Sequence, residues 1–291
     1  MTFHGSLVAI ITPFRNGQVD EKALGDLIEW QIANGTDGIV PCGTTGESAT
    51  LTHEEHKRVI EFTIEAVKRR VPVIAGTGSN ATDEAIEFTR HARSAGADAA
   101  LLISPYYNKP TQEGLYRHHK AIAEAVDIPQ ILYNIPGRTA VNMAPATVAR
   151  LATLKNIVGI KEGAGSLQQV SEIVQACGDR FTVLAGDDAL TLPMMAVGAT
   201  GVITVTANVA PAEMAAMVDA WEAGNVAGAR ALHFKLYPLF QALFFETNPV
   251  PVKHALALMG RATADVRLPL CAMSQENLDK LTRVMKDYGL I

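Results

Sequence analysis

Ala95-Gly96-Ala97-Asp98-Ala99-Ala100-Leu101-Leu102-Ile103 joins two elements of opposite character. A polar helical pattern runs into a glycine, a loop of small residues follows, and an apolar run begins. Glycine at such a point supplies the left-handed conformation that ends a helix. The apolar run has the length of a buried strand. The same order recurs at Asn34-Gly35-Thr36-Asp37-Gly38 ahead of Ile39-Val40, and at Val197-Gly198-Ala199-Thr200-Gly201 ahead of Val202-Ile203-Thr204-Val205. Three copies of one helix-to-strand junction predict a repeating βα chain.

Working outward, residues 7–11, 72–76, 130–133, 157–161 and 182–186 read as further strands and bring the total to eight. Between them, Thr52 with Glu55 predicts a capping box at the start of a charged helix, and Ser166 with Gln169 predicts another. Leu167, Val170, Ile173, Val174 and Cys177 follow Ser166 at helical spacing, which places Cys177 in core packing, and Gly178 closes that helix. Eight strands alternating with helices pair in parallel, as a closed (β/α)8 TIM barrel or an open doubly wound sheet. No Gly-x-Gly-x-x-Gly follows the first strand and eight is the closing number, so an α/β fold of the barrel type is expected. Residues 1–224 form the expected barrel domain. Residues 225–291 read as a C-terminal helical subdomain, broken by Asn248-Pro249-Val250-Pro251.

The 291 residues are 48% hydrophobic with a net charge of −5. That length supports one large core, and the mild acidity argues against a nucleic-acid partner. Met1-Thr2-Phe3-His4-Gly5 lacks the regions of a signal peptide. No apolar run approaches the roughly 20 residues that cross a bilayer. A cytoplasmic protein without a membrane partner is therefore expected. The cysteines Cys42, Cys177 and Cys271 show no metal-ligand spacing and suit a reducing compartment. No metal or cofactor is expected.

Barrel enzymes build their sites at the C-terminal strand ends. There the sequence places Gly43-Thr44-Thr45-Gly46-Glu47-Ser48, Ser104-Pro105-Tyr106-Tyr107-Asn108, Tyr133-Asn134-Ile135-Pro136-Gly137-Arg138-Thr139, Lys161 and Gly186-Asp187-Asp188. Ile157-Val158-Gly159-Ile160 runs straight into Lys161. Burial at that point lowers a lysine's pKa and makes its amine a usable nucleophile for a Schiff base. Taken alone, Lys161 reads as well as a strand cap that snorkels to solvent. Tyr133 lies 28 residues before Lys161, about one βαβ step, so the two are expected on adjacent strands at similar height. Each neighbour also has an ordinary reading. Tyr133 fits a core tyrosine, Arg138 a surface arginine and Tyr107 an interface aromatic, and the Gly-Thr-Thr-Gly loop fits a plain turn. Together they place an amine, a phenol, hydroxyls and two carboxylate-binding elements on one rim.

With these residues in view, the sequence resembles the dihydrodipicolinate synthase family of pyruvate-dependent class I aldolases, over essentially the whole chain. The stretches that carry the resemblance are residues 40–51, 72–80, 105–110, 133–139, Gly159-Ile160-Lys161-Glu162, residues 203–208 and Asn248 to Lys253. The resemblance implies a lyase of lysine and diaminopimelate biosynthesis that condenses pyruvate with L-aspartate 4-semialdehyde. It implies that Lys161 forms the Schiff base, that Tyr133 shuttles protons, and that Thr44 links Tyr133 to a Tyr107 contributed by a neighbouring subunit. Thr45 would hold the pyruvate carboxylate, Arg138 a second carboxylate, and Gly186 and Ile203 would line the pocket through backbone groups. It further implies a homotetramer built from tight dimers, with feedback by L-lysine at Ser48, Ala49, His53, His56, Asn80, Glu84 and Tyr106. His53 and His56, about one helical turn apart, are expected to face the same ligand.

Two departures stand out. Gly163-Ala164 follows the Lys-Glu pair where the family often has alanine then threonine or serine, and Pro41-Cys42 replaces a small apolar pair. Neither touches a catalytic group. A sister aldolase acting on N-acetylneuraminate or a 2-keto-3-deoxy sugar acid shares the lysine, the tyrosine and the glycine-rich loop, and Arg138 argues for a second substrate with a carboxylate instead. A non-catalytic pyruvate-binding sensor would not need the tyrosines and threonine of a proton relay.

Overall fold

The computed structural model describes residues 3–291. Met1 and Thr2, which open the segment read for a leader, lie outside the described residues. The eight expected strands are β1 (Gly5–Ala9), β2 (Gly38–Val40), β3 (Ile74–Gly76), β4 (Ala99–Ile103), β5 (Gln130–Asn134), β6 (Ile157–Glu162), β7 (Thr182–Ala185) and β8 (Gly201–Thr204). They form one sheet in the order β2-β1-β8-β7-β6-β5-β4-β3. Sequence neighbours lie side by side except β2 and β3, which stand at the two ends of the order, and the first strand lies beside the last, as in a (β/α)8 barrel. Helices α1 (Glu21–Ala33), α2 (His53–Val67), α3 (Thr82–Ala95), α4 (Gln112–Ala125), α5 (Pro145–Leu151), α6 (Leu167–Cys177) and α7 (Thr191–Ala196) separate the strands. The chain ends in α8 (Pro211–Glu222), α9 (Val226–Ala242), α10 (Val250–Leu258) and α11 (Gln275–Tyr288). A two-stranded antiparallel ribbon of Phe14–Arg15 and Gln18–Val19 has no counterpart in the sequence reading.

The junction rule holds in backbone terms. Gly96 sits at φ +98°, and its N–H closes α3 onto the carbonyls of Ala92 and Arg93 at 3.2 and 3.1 Å. An L side chain rarely adopts that conformation. At α2 both halves of the Thr52–Glu55 capping box are made. At α6 only one half is. Ser166 accepts the Gln169 N–H, but the Gln169 side chain donates to Glu162 and Asn142 instead of the cap backbone. A buried carboxylate is a stronger acceptor for that amide than the neutral cap is. Cys177 is half-buried rather than fully in the core, and burial pushes its thiol up to about 11.

The chain divides into two compact units, Met1–Gly5 with Pro72–Ile203, and Ser6–Val71 with Thr204–Ile291. In the first, Ala100 and Leu102 of β4 pack on Ala85 of α3 and on Ile122, Val126 and Ile128. A strand covered this way reads as a nearly continuous apolar run. In the second, β1 and β2 pair with Leu7 opposite Gly38, and Asn208 fastens the end of β1 by hydrogen bonds to the Ile11 N–H and the Ala9 carbonyl. No helix among the described residues is long and apolar enough to cross a membrane.

Candidate active site

In the unit Pro72–Ile203, β5 and β6 pair so that Tyr133 stands directly opposite Lys161. Lys161 is only 6% exposed, and its Nζ lies 4.5 Å from the centroid of the Tyr133 ring. Among the described residues it makes no hydrogen bond or ion pair. An ammonium there gives up its water for the face of one aromatic ring, which compensates only part of the loss. Gly186 closes over the end of β6. Its N–H donates to the Glu162 carbonyl at 2.8 Å, and a Cβ would lie 3.0 Å from that same oxygen. Ile203 is buried in β8. Arg138 lies exposed in the single helical turn Pro136–Thr139.

A second group forms in the same unit. Glu84 accepts from the Ser79 hydroxyl, Asn80 Nδ2 donates to the Tyr106 carbonyl at 3.1 Å, and Asn108 Nδ2 donates to the Asn80 carbonyl at 2.9 Å. Burial, with the Glu84 carboxylate nearby, raises the Tyr106 phenol above its ordinary range. Tyr107 is 90% exposed and held at φ +73°, a conformation that bulky residues seldom adopt.

In the other unit, Gly43 to Ser48 folds into consecutive tight turns. The N–H groups of Gly46 and Ser48 return to the Gly43 carbonyl and that of Glu47 to the Thr44 carbonyl. The amides of Thr44 and Thr45 have no acceptor among the described residues. Asn248 Nδ2 donates to Thr45 Oγ1 at 3.0 Å, which leaves the Thr45 O–H free to donate elsewhere. Cys42 and Glu47 both adopt left-handed backbone, at φ +54° and +53°. Ser48 and Ala49 follow in a short 3-10 turn, and His53 opens α2 in an exposed position. His56, one turn further along α2, is buried with Val59 and Ile60.

Sequence reasoning missed two polar assemblies. Glu162, next to Lys161, is 1% exposed and tied to Asn134, Gln169 and the Ala164 N–H. Burial raises its carboxyl pKa against those donors. Glu47 makes a fully buried ion pair with Lys253 and accepts the Arg267 N–H at 3.1 Å. The first had a signal in the sequence, since Asn134 follows Tyr133 as Glu162 follows Lys161. The second had none. Of the two departures, Cys42 lies buried, and a Cβ at Gly163 would lie 2.8 Å from Ile135 Cδ1. Among the described residues, no group of three His, Cys, Asp or Glu is placed to hold a metal.

A parallel eight-stranded α/β fold, with a buried lysine at the end of the sixth strand and a tyrosine beside it on the fifth, defines a lyase of the class I aldolase type. The chain belongs to the dihydrodipicolinate synthetase family, whose model matches residues 2–288. It is 65% identical over 289 residues to the 4-hydroxy-tetrahydrodipicolinate synthase of Syntrophus aciditrophicus (strain SB), covering 99% of both chains. It superposes with a TM-score of 0.98 on the dihydrodipicolinate synthase of Acinetobacter baumannii, solved in complex with pyruvate, at 48% identity and with both chains fully covered. The enzyme of Cyanidioschyzon merolae with lysine bound matches at a TM-score of 0.97 and 40% identity, with 99% of each chain covered.

Proposed function

We propose that the chain condenses pyruvate with L-aspartate 4-semialdehyde to give 4-hydroxy-tetrahydrodipicolinate, with Lys161 as nucleophile. The observation that carries the reading is a buried lysine with no acid partner, set against a tyrosine on the neighbouring strand. Neutral Lys161 attacks the ketone carbon, and the carbinolamine loses water to an iminium. That cation draws electrons from the methyl group, one methyl proton leaves, and an enamine forms. The enamine carbon attacks the aldehyde, whose oxygen takes up a proton. The substrate amine then adds to the iminium carbon, the ring closes, and Lys161 departs as the amine. Tyr133 donates and accepts these protons, with Thr44 and a Tyr107 from a neighbouring subunit as its relay. A tyrosine serves in both directions only when held in a hydrogen-bonded chain.

The open amides of the Thr44–Thr45 turn and the O–H of Thr45, left to donate, suit the pyruvate carboxylate, and exposed Arg138 suits the carboxylate of the second substrate. Gly186 and Ile203 line the pocket. Relatives named for this reaction at 60% to 65% identity favour it over the sugar-acid aldolases. The exposure and strained backbone of Tyr107 support an assembly in which a partner covers it, here a homotetramer of tight dimers. Feedback by L-lysine is supported by the Asn80–Glu84–Tyr106 group and by the lysine-bound relative, with Ser48, Ala49, His53 and His56 completing the site.

The test is borohydride reduction in the presence of pyruvate, followed by peptide mass mapping. A pyruvate adduct on Lys161 is expected, and its absence overturns the aldolase reading. A coupled assay comparing aspartate semialdehyde with sugar aldehydes then fixes the second substrate. Titration with L-lysine to millimolar levels, beside Glu84→Gln, tests the feedback site, and no binding by the wild type removes it.

A further inference from the structure

We propose that Glu162 is a positioning residue for the nucleophile, its carboxylate locking the end of β6 to the end of β5 so that Lys161 is held beside Tyr133. The proposal rests on the reading of Lys161 as the nucleophile.

Side chains alternate across a strand. Lys161 and Tyr133 face one another in register, and the next pair in the same register is Glu162 and Asn134. This second pair therefore leaves the sheet on the opposite side, where it is joined directly. Asn134 Nδ2 donates to Glu162 Oε1 at 3.2 Å and to Oε2 at 3.0 Å. Glu162 Oε1 also accepts the Ala164 N–H at 2.6 Å, and Oε2 accepts Gln169 Nε2 at 3.0 Å. Among the described residues, the groups that hydrogen-bond to the carboxyl are donors and none is a cation. Only the ionised, acceptor-only form satisfies such a set.

The lattice extends past the pair. Asn134 Oδ1 accepts the Met143 N–H at 3.0 Å, and Asn134 Nδ2 reaches Asn142 Oδ1 at 2.8 Å. Asn142 and Gln169 exchange two further hydrogen bonds at 2.8 and 3.1 Å. Main-chain bonds from Gly163 N–H to the Asn134 carbonyl and from Gly186 N–H to the Glu162 carbonyl, both 2.8 Å, fasten the same strand ends.

A buried carboxylate without a counter-cation is a poor choice for stability alone, because an apolar side chain at that point avoids the desolvation cost. What the carboxylate supplies is geometry. It fixes the main chain one residue beyond both Tyr133 and Lys161, in the way that outer hydrogen bonds orient the groups that do chemistry. It also explains why Gln169 leaves its helix cap incomplete.

The experiment compares wild type, Glu162→Gln, and Glu162→Gln combined with Gln169→Glu. The single change keeps the shape and turns an amide nitrogen toward existing donors. The double change returns a carboxylate to the other end of the same hydrogen bond. The measurements are the rate of borohydride trapping of pyruvate on Lys161, kcat and KM for pyruvate, and thermal unfolding. For folded Glu162→Gln, trapping and kcat should fall about 10- to 100-fold, the cost of a small misplacement of a reacting group. KM should move less than kcat, and the double variant should recover most of the loss. A trapping rate within about two-fold of wild type overturns the proposal. So does a kcat deficit that only tracks lost folded protein and is not recovered by the swap. Should Glu162→Gln fail to fold, Gln169→Leu removes one donor from a half-buried position. Slower trapping at an unchanged melting temperature then supports the proposal, and unchanged trapping overturns it. Wild type that traps no pyruvate removes the nucleophile reading and this proposal together, whereas normal trapping by both wild type and variant removes this proposal alone.

Discussion

Two buried lysines divide the work of this chain. Lys253 in α10 is 0% exposed, paired with Glu47, hydrogen-bonded to the Asp265 carbonyl at 2.9 Å and set 4.0 Å over the Phe14 ring. Burial still pushes its pKa down to about 8 against the pull of Glu47. Lys161 in β6 is nearly as buried, and among the described residues its Nζ meets the face of the Tyr133 ring and no acid. Through Glu47 the first ties the loop after β2 to α10. The second has no hydrogen bond or ion pair among the described residues, as the proposed nucleophile requires. Burial alone therefore does not single out a candidate nucleophile, and the missing acid partner is what separates Lys161 from Lys253.

The sharpest way to break this contrast is Lys161→Ala. Activity in a coupled assay should fall by about 10⁴ or more, in the range seen when a nucleophile is removed. Lys161→Arg should fall as far, since a guanidinium does not deprotonate. The melting temperature of Lys161→Ala should stay level or rise, because a buried polar group without a hydrogen bond among the described residues is gone. A large drop in melting temperature would mean that Lys161 also carries structure, and the contrast fails. Tyr133→Phe keeps the ring against Lys161 and removes only the hydroxyl. Its kcat should fall about 10²- to 10⁴-fold, the usual contribution of a positioned acid/base group, with the fold intact by circular dichroism.

Lys253→Met should behave in the opposite way. Removing one member of a buried pair costs about 3–5 kcal/mol, because Glu47 is left charged and unpaired. Denaturant unfolding should show that loss. Trapping of pyruvate on Lys161, measured below the new melting point, should persist. Adding Glu47→Leu should return much of the stability, since two apolar residues often replace a buried ion pair without penalty. If Lys253→Met unfolds as wild type does, the pair is not what holds the loop.

How much of this was legible follows from the range of each signal. The strands and the glycine junctions are local patterns, and Gly35, Gly96 and Gly198 sit at φ +83°, +98° and +110° as their place in the sequence requires. Tyr133 and Lys161 were placed opposite each other by counting one βαβ step, and the register agrees. The capping box at Ser166 misled, because a four-residue pattern does not reveal that Gln169 has Glu162 within reach. Glu47 and Lys253 lie in one assembly with Arg267, whose backbone bond to Glu47 spans 220 residues, and no periodicity connects such positions. Pairings across the chain are set by packing, and packing is what a linear reading lacks.

The smallest expected effect concerns titration in the unit that holds Lys161. His118 and His119 on α4 are buried with ring centroids 4.9 Å apart. His118 Nδ1 lies 3.0 Å from the Thr82 hydroxyl, while its Nε2 and both nitrogens of His119 have no hydrogen-bond partner among the described residues. Burial pushes His118 down to about 4 and holds His119 well below the usual histidine range, with its neighbour adding to the effect. In the unfolded chain both titrate near 6.5. Between pH 6.5 and about 4, then, the unfolded state binds protons that the native state refuses. The stability of neutral rings is fully present above pH 6.5 and is lost as pH falls through that window, by at most about 3 kcal/mol for His118. Unfolding in urea at fixed steps from pH 7 to pH 4 should show the decline. His119→Leu should flatten it, since an apolar side chain suits that pocket and no proton is gained on unfolding. The contrast is sharpened if Lys253→Met, which removes a charge from the other unit, lowers stability at pH 7 while His119→Leu does not. An identical slope for His119→Leu and wild type would assign the acid sensitivity to carboxyl groups instead.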